Sequence, residues 1–261
     1  MKKSKILSYL LGPVGSGILG LVSLPIITWF YPVEDIGKIS MLQVFASFII
    51  LFFCLGLDQS YVREYHESKV KSRLFKASFL PGFTLLLICT FGLYFSDEVL
   101  LSNLLYKENN KYLTILSLLC FVLAFCSRFL SLILRMQERA LAYSMSQLLP
   151  KISFLTFMLC IVWLGFKTNF YSLILAHSLS IAVVFFVFAW NTRSEWLRSF
   201  SQVIDIEELK KLLYFGLPLV IGGLAAWGLN VMDKLSLRAL STFSELGVYS
   251  VTISIAAVAT V

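Results

Sequence analysis

Two basic residues stand where charge is costly. Arg128 and Lys151 lie inside long apolar stretches, where a charged side chain either faces a cavity or snorkels to a polar boundary. Arginine presents a planar fork that suits two phosphate oxygens, and lysine a compact point charge. Asn230, Asp233 and Lys234 fall at i, i+3 and i+4 and share one helix face. They can form a polar gate or sugar contact, or an ordinary charge pair at a membrane edge. Asp58 and Arg63 flank the end of another apolar stretch. A carboxylate beside an arginine can pair with it and close that side; a solvated loop is the alternative. His177 is mid-stretch, as a proton relay or a hydrogen-bonded core residue. Gln43, Gln147 and Asn169 offer amides to hydroxyls. Cys54, Cys89, Cys120, Cys126 and Cys160 all sit in apolar runs without a CxxC pair, so neither a metal nor a redox site is indicated. No phosphate-binding glycine loop, HExxH or Ser/His/Asp pattern occurs. The chemistry on offer is anion and polar recognition, with no enzyme and no cofactor implied.

The elements that must hold these residues are membrane spans. Of the 261 residues, 58% are hydrophobic and 14% charged, with a mean hydropathy of +0.83. An ordinary soluble domain carries about 25% charged residues, so this composition excludes most soluble enzymes, disordered chains and disulfide scaffolds. Stretches long enough to cross a bilayer begin near Ile6, Ile39, Ala77, Tyr112, Ser144, Tyr171 and Leu212. They end near Phe30, Leu57, Phe95, Leu134, Phe166, Trp190 and Met232; an eighth begins near Leu246 and is still apolar at Val261. Met1-Lys2-Lys3-Ser4-Lys5 resembles the head of a signal peptide, but the apolar run behind it is too long, so it reads as an uncleaved first span. With the N-terminus cytoplasmic, the inner segments hold Lys2, Lys3, Lys5, Arg63, Lys69, Lys71, Arg73, Lys76, Arg135, Arg139, Arg193, Arg198, Lys210 and Lys211. The outer segments hold only Lys38, Lys107, Lys111, Lys167, Lys234 and Arg238. This asymmetry predicts a cytoplasmic N-terminus and explains most of the +7 net charge without nucleic acid.

The polar connection after the sixth span divides the chain into a six-helix lobe (1–194), a linker (195–211) and the start of a second lobe (212–261). Short interfacial helices are expected at Ser194–Arg198 and Asp205–Lys211. An internal repeat supports the division. Gly12-Pro13-Val14-x-x-Gly17 is echoed by Gly216-Leu217-Pro218-Leu219-x-x-Gly222. The loop Glu34-Asp35-Ile36-Gly37-Lys38-Ile39-Ser40 is echoed by Ser244-Glu245-Leu246-Gly247-Val248-Tyr249-Ser250. The copies stand at the first and seventh spans, six spans apart, so they run the same way across the membrane, as in transporters built from parallel repeats. On this reading the second lobe stops within its second helix. Glycines 15, 17 and 20 of the first span and 222, 223 and 228 of the seventh permit close helix packing.

The stretch Leu209-Lys210-Lys211-Leu212-Leu213-Tyr214-Phe215-Gly216-Leu217-Pro218-Leu219, followed by Gly222-Gly223-Leu224-Ala225-Ala226-Trp227, resembles Wzx-type O-antigen and polysaccharide flippases. These belong to the multidrug/oligosaccharidyl-lipid/polysaccharide superfamily. Leu229-Asn230-x-x-Asp233-Lys234 and Glu245-Leu246-Gly247-x-Tyr249-Ser250 continue the likeness. So do Asp35-Ile36-Gly37 and Leu55-Gly56-Leu57-Asp58-Gln59-Ser60-Tyr61-Val62-Arg63 in the first half. The resemblance implies an all-α polytopic fold of about twelve helices in two lobes around a central cavity, C-terminally incomplete here. It implies transfer of undecaprenyl-diphosphate-linked oligosaccharide across the bacterial cytoplasmic membrane, with membrane lipids and polysaccharide-assembly proteins as further partners. Arg128 and Lys151 would then hold the diphosphate, and Asn230, Asp233 and Lys234 the sugars or a gate. The lipid II flippases carry an arginine motif in the first span, and this chain has none. A cation-coupled multidrug exporter would favour buried carboxylates, and the spans of the first lobe hold basic residues and no buried acid. A non-transporting remnant or assembly partner is the other alternative.

Overall fold

The computed structural model describes residues 3–258. Lys2 and the apolar end at Val261 lie outside the described residues, as do the side chains of Lys3 and Lys5. The described residues form eleven helices and no strand, as an all-α polytopic membrane protein requires: in a bilayer only a helix or a closed barrel satisfies every backbone polar group internally. Six long helices come first: α1 (Lys3–Phe30), α2 (Val33–Phe53), α4 (Lys71–Ser96), α6 (Lys111–Met136), α7 (Ala140–Trp163) and α8 (Phe170–Asn191). Short helices α3 (Leu57–Glu64), α5 (Leu100–Tyr106) and α9 (Arg193–Phe200) cap their ends. The 35-residue α10 (Ile206–Leu240) and α11 (Phe243–Val258) follow. Seven of these helices are long and apolar enough to cross a membrane.

Three boundaries differ from the sequence expectation. Glu34 to Ser40 and Ser244 to Ser250, read as loops, are the opening turns of α2 and α11. Pro32 caps α2 at its fixed φ, and Glu34 and Asp35 then sit in the first turn, where carboxylates complement the helix dipole. The Thr242 hydroxyl accepts from the Glu245 amide and starts α11 in the same way. Asp205–Lys211 is likewise no separate interfacial helix. Asp205 accepts from the Glu207 amide as the N-cap of α10, so the polar turn runs directly into the span.

The helices pack in the order α1, α7, α8, α6, α2, with α11 against both α2 and α1. Helix α10 lies beside α2 and α3, and α4 covers α6, α9 and α3. The α1–α7 seam is hydrogen-bonded through a proline defect. Pro13 has no N–H and leaves the Tyr9 carbonyl open; the Ser144 hydroxyl of α7 lies 3.5 Å from it and donates to the Ser8 carbonyl. Two apolar cores result. One, around Leu57, Tyr61, Leu74, Phe125 and Phe129, lies toward the α3 end. The other, around Leu42, Leu105, Tyr106, Leu113 and Phe121, lies toward the α5 end.

The repeat read in the sequence reappears as a contact. A Cβ on Gly37 would run into the Phe243 carbonyl, and a Cβ on Gly247 into the Val33 carbonyl. Between them the Ser40 and Ser250 hydroxyls bond at 2.9 Å, 210 residues apart. Residues 33, 37 and 40 therefore meet 243, 247 and 250 reciprocally, each helix offering the other the same small-residue surface. Such surfaces let helix backbones approach closely in a membrane.

Candidate functional site

Arg128 sits eight residues from the end of α6, about 12 Å into the bundle at 1.5 Å per residue. It borders two adjoining cavities. The larger, about 540 Å³, lies between α2, α3, α6 and α10 and is lined by Ser47, Cys54, Asp58, Gln59, Arg128 and Gly223 among others. The second, about 390 Å³, lies between α6, α7 and α8 and adds Ser127, Ser131, Tyr143, Ser146 and Gln147. Ser127, Arg128 and Ser131 fall on one face of α6 by its 3.6-residue period, which turns hydroxyls and a guanidinium toward the same space.

The Arg128 side chain is 37% exposed and that of Asp58 only 11%, so the arginine is reachable from the cavity while its partner is sheltered. One guanidinium nitrogen, Nη2, donates to Asp58 Oδ2 at 2.8 Å. The Nε of Arg128 and the hydroxyl of Ser127 are buried without a partner. An unpaired buried donor costs about 1–3 kcal/mol, and a ligand oxygen would recover it. Asp58 is placed by backbone geometry. Leu55 and Gly56 adopt left-handed φ of 52° and 68° and turn the chain from α2 into α3, so that the first turn of α3 faces α6.

This arrangement corrects two expectations. Asp58 pairs with Arg128, not Arg63. Arg63 stacks 4.2 Å over the Phe215 ring of α10 and approaches Glu64 at 3.8 Å. The first lobe also does hold buried acids: Asp35 and Asp58 are each 8% exposed. The stretch around Asp35 reads as a loop in the sequence, which hides the burial of its carboxylate.

The other candidates are dispersed. Lys151 lines neither cavity; its ammonium donates to the Ser16 carbonyl of α1. Eleven residues into α7, it lies deeper than its apolar flanks suggest. Asp233 accepts from the Tyr249 hydroxyl of α11 at 2.6 Å, whereas Lys234 donates to Ser40 of α2 at 3.2 Å. Asn230 is exposed and bonds back to the Ala226 carbonyl of its own helix. The three therefore do not act on a common partner. His177 packs edge-on to Phe154 with ring centroids 5.6 Å apart. Asn169 is spent on a helix cap, accepting from the Ser172 amide. Gln147 does line the second cavity. Sequence reasoning misses Ser127, Ser131, Tyr143 and Ser146. A signal exists in the hydroxyls spaced around Arg128, but hydroxyls are common in apolar helices, where they bond back to their own backbone.

At the opposite end, Lys38 joins Glu108 at 2.6 Å and Glu34 at 3.0 Å, and Tyr171 donates to Glu108 at 3.0 Å. Lys38, read as an outer-loop charge, is thus the buried centre of a network tying α2 to the α5–α6 turn and α8. No group of three His, Cys, Asp or Glu suited to a metal occurs among the described residues.

Comparison with known proteins gives one result that spans the chain. A family model described as "Polysaccharide biosynthesis protein" matches residues 3–261, and no curated protein and no solved structure matches. Members of this family are transporters or flippases and not enzymes. With a match of that extent on a bundle of apolar helices, the chain belongs to the polysaccharide biosynthesis protein family, that of the Wzx-type flippases of the multidrug/oligosaccharidyl-lipid/polysaccharide superfamily.

Proposed function

We propose that the protein moves polyprenyl-diphosphate-linked oligosaccharide units across the bacterial cytoplasmic membrane, for O-antigen or capsule synthesis, by alternating access. The observation that carries this reading is Arg128: a guanidinium inside the bundle, tied by one nitrogen, with a buried free Nε at the junction of two cavities. A diphosphate matches its charge and its fork of donors. Gln59, Gln147 and Ser127 supply neutral donors for sugar hydroxyls, Ser131 and Ser146, which donate to their own backbone, supply acceptors, and the prenyl tail stays in the bilayer. The two cavities that Arg128 borders lie toward the α3 end, while at the other end α2 and α11 pack closely beside a third cavity of about 450 Å³ lined by Glu34, Arg238 and Thr242. The charge partition between the two ends supports a cytoplasmic N-terminus and cytoplasmic α3. The reciprocal α2–α11 contact supports reading 1–194 as one lobe, 195–211 as a linker and 212–261 as the opening of a second.

The test is export. Arg128→Ala should lower surface polysaccharide about 10- to 100-fold at equal membrane protein, the equivalent of one or two charge-assisted hydrogen bonds of about 1.5–3 kcal/mol. Arg128→Lys should recover part of it, keeping charge but losing the fork. Unchanged export in Arg128→Ala at equal protein level refutes the assignment. Buried Asp35 is the observation that favours a second reading, a cation-coupled drug exporter. Loss of drug resistance, with surface polysaccharide intact, on deletion would select it.

A further inference from the structure

Asp58 does more than neutralise Arg128; it links the cavity to a clasp between α3 and α10. Gly56 and Gly216 meet backbone to backbone, so closely that a Cβ on Gly56 would overlap the Gly216 carbonyl. The Ser60 hydroxyl donates to the Leu212 carbonyl at 2.8 Å. Lys211 bonds Glu64 at 2.6 Å, and Arg63 lies over Phe215. Every turn of the eight-residue α3 therefore grips α10. Its tie to α6 through side-chain charge is the Asp58–Arg128 pair.

A carboxylate on a guanidinium occupies the same donor fork that a phosphate would use. Two anions on one guanidinium repel each other, the more so where one of them, Asp58, is only 11% exposed. We propose that Asp58 is an internal competitor for the anionic ligand: a diphosphate that takes Arg128 displaces the Asp58 carboxylate and thereby frees the clasped α3–α10 pair from α6. Ligand occupancy is then coupled to the contact between the six-helix bundle and α10. The coupling is reciprocal: whatever releases α3 from α6 also favours diphosphate binding. The Arg128 side chain is 37% exposed, which lets the ligand engage it before the Asp58 bond at Nη2 is given up. This inference rests on the diphosphate reading of Arg128 and adds the regulation of that site.

The probe is farnesyl diphosphate, with farnesol as the uncharged control, added to the detergent-purified chain. Its affinity is read by tryptophan fluorescence titration, and the backbone amides of 57–65 by hydrogen exchange. Asp58→Asn is expected to tighten farnesyl diphosphate about tenfold, equivalent to about 1.4 kcal/mol, and to leave farnesol unchanged. In the wild-type chain, saturating farnesyl diphosphate should speed exchange in 57–65; in Asp58→Asn that exchange should be fast without ligand. Equal or weaker affinity in Asp58→Asn overturns the competition. So does wild-type exchange in 57–65 that ignores the ligand, an outcome that needs no variant to fold. Arg128→Gln separates the two levels. If it binds farnesyl diphosphate as the wild type does, the diphosphate reading fails and the competition with it. If it loses binding while Asp58→Asn changes nothing, only the competition fails.

Discussion

The α2–α11 seam allows a perturbation whose size follows from geometry. Gly247 faces the Val33 carbonyl and Gly37 faces that of Phe243, each inside ordinary contact for an added methyl. In Gly247→Ala the new Cβ meets backbone, which cannot rotate away, so the helices must part by roughly 1 Å to reach van der Waals distance. The Ser40–Ser250 bond, 2.9 Å in the native seam, then stretches to about 4 Å and ceases to be a hydrogen bond. That loss costs about 0.6 kcal/mol, typical for side-chain hydrogen bonds in membranes. Overpacking adds about 1–3 kcal/mol. The sum, about 1.6–3.6 kcal/mol, corresponds to at least a tenfold fall in the population of the closed seam. Cross-linking reads it out: with the five native cysteines replaced by alanine, Ser40→Cys with Ser250→Cys should form a disulfide quickly under mild oxidant. Adding Gly247→Ala should slow that reaction at least tenfold. An equal rate, or no disulfide in the folded protein that carries both serine-to-cysteine substitutions, refutes the close reciprocal contact.

Three further outcomes are expected. Gly56→Ala should lower the melting temperature of the purified protein. A left-handed φ of 68° costs a side-chain-bearing residue about 1–2 kcal/mol, and the new methyl collides with Gly216. Glu108→Ala should destabilise by about 3 kcal/mol, since it strips the main partner from a Lys38 side chain only 10% exposed. Glu34→Ala should cost far less, because Glu34 is 56% exposed; thermal melts of the two variants make the comparison. Lys151→Met should reduce thermal stability by about 1 kcal/mol through loss of the bond to Ser16 of α1, and an unchanged melt would show that this bond contributes nothing.

The spans are legible in the sequence because a bilayer imposes length and apolarity on each helix separately. Every long helix of the structure overlaps an expected span, and the interfacial α9 falls at Ser194–Arg198. Errors arise where charge sits inside a helix. Glu34, Asp35 and Lys38 read as loop residues, yet a proline cap and two first-turn carboxylates begin α2 there. The candidate site is legible in part. Arg128 and Asp58 each stand out by cost and position, but their partnership joins residues 70 apart, and near neighbours such as Arg63 offer a cheaper pairing on paper.

The sequence by itself therefore determined what each segment must be: an all-α membrane chain with a repeat, basic residues biased to one end and costly charges at named positions. These are local properties, set by the solvent each segment meets. Only the tertiary structure decided what those charges do, because a partner in space is not a neighbour in sequence. It placed Arg128 between two cavities with Asp58, sent Lys151 to the backbone of α1, and divided Asp233 and Lys234 between α11 and α2. It also turned a loose sequence echo into a backbone contact of residues 33, 37 and 40 with 243, 247 and 250. At that range the absence of two Cβ atoms decides how near two helices can come.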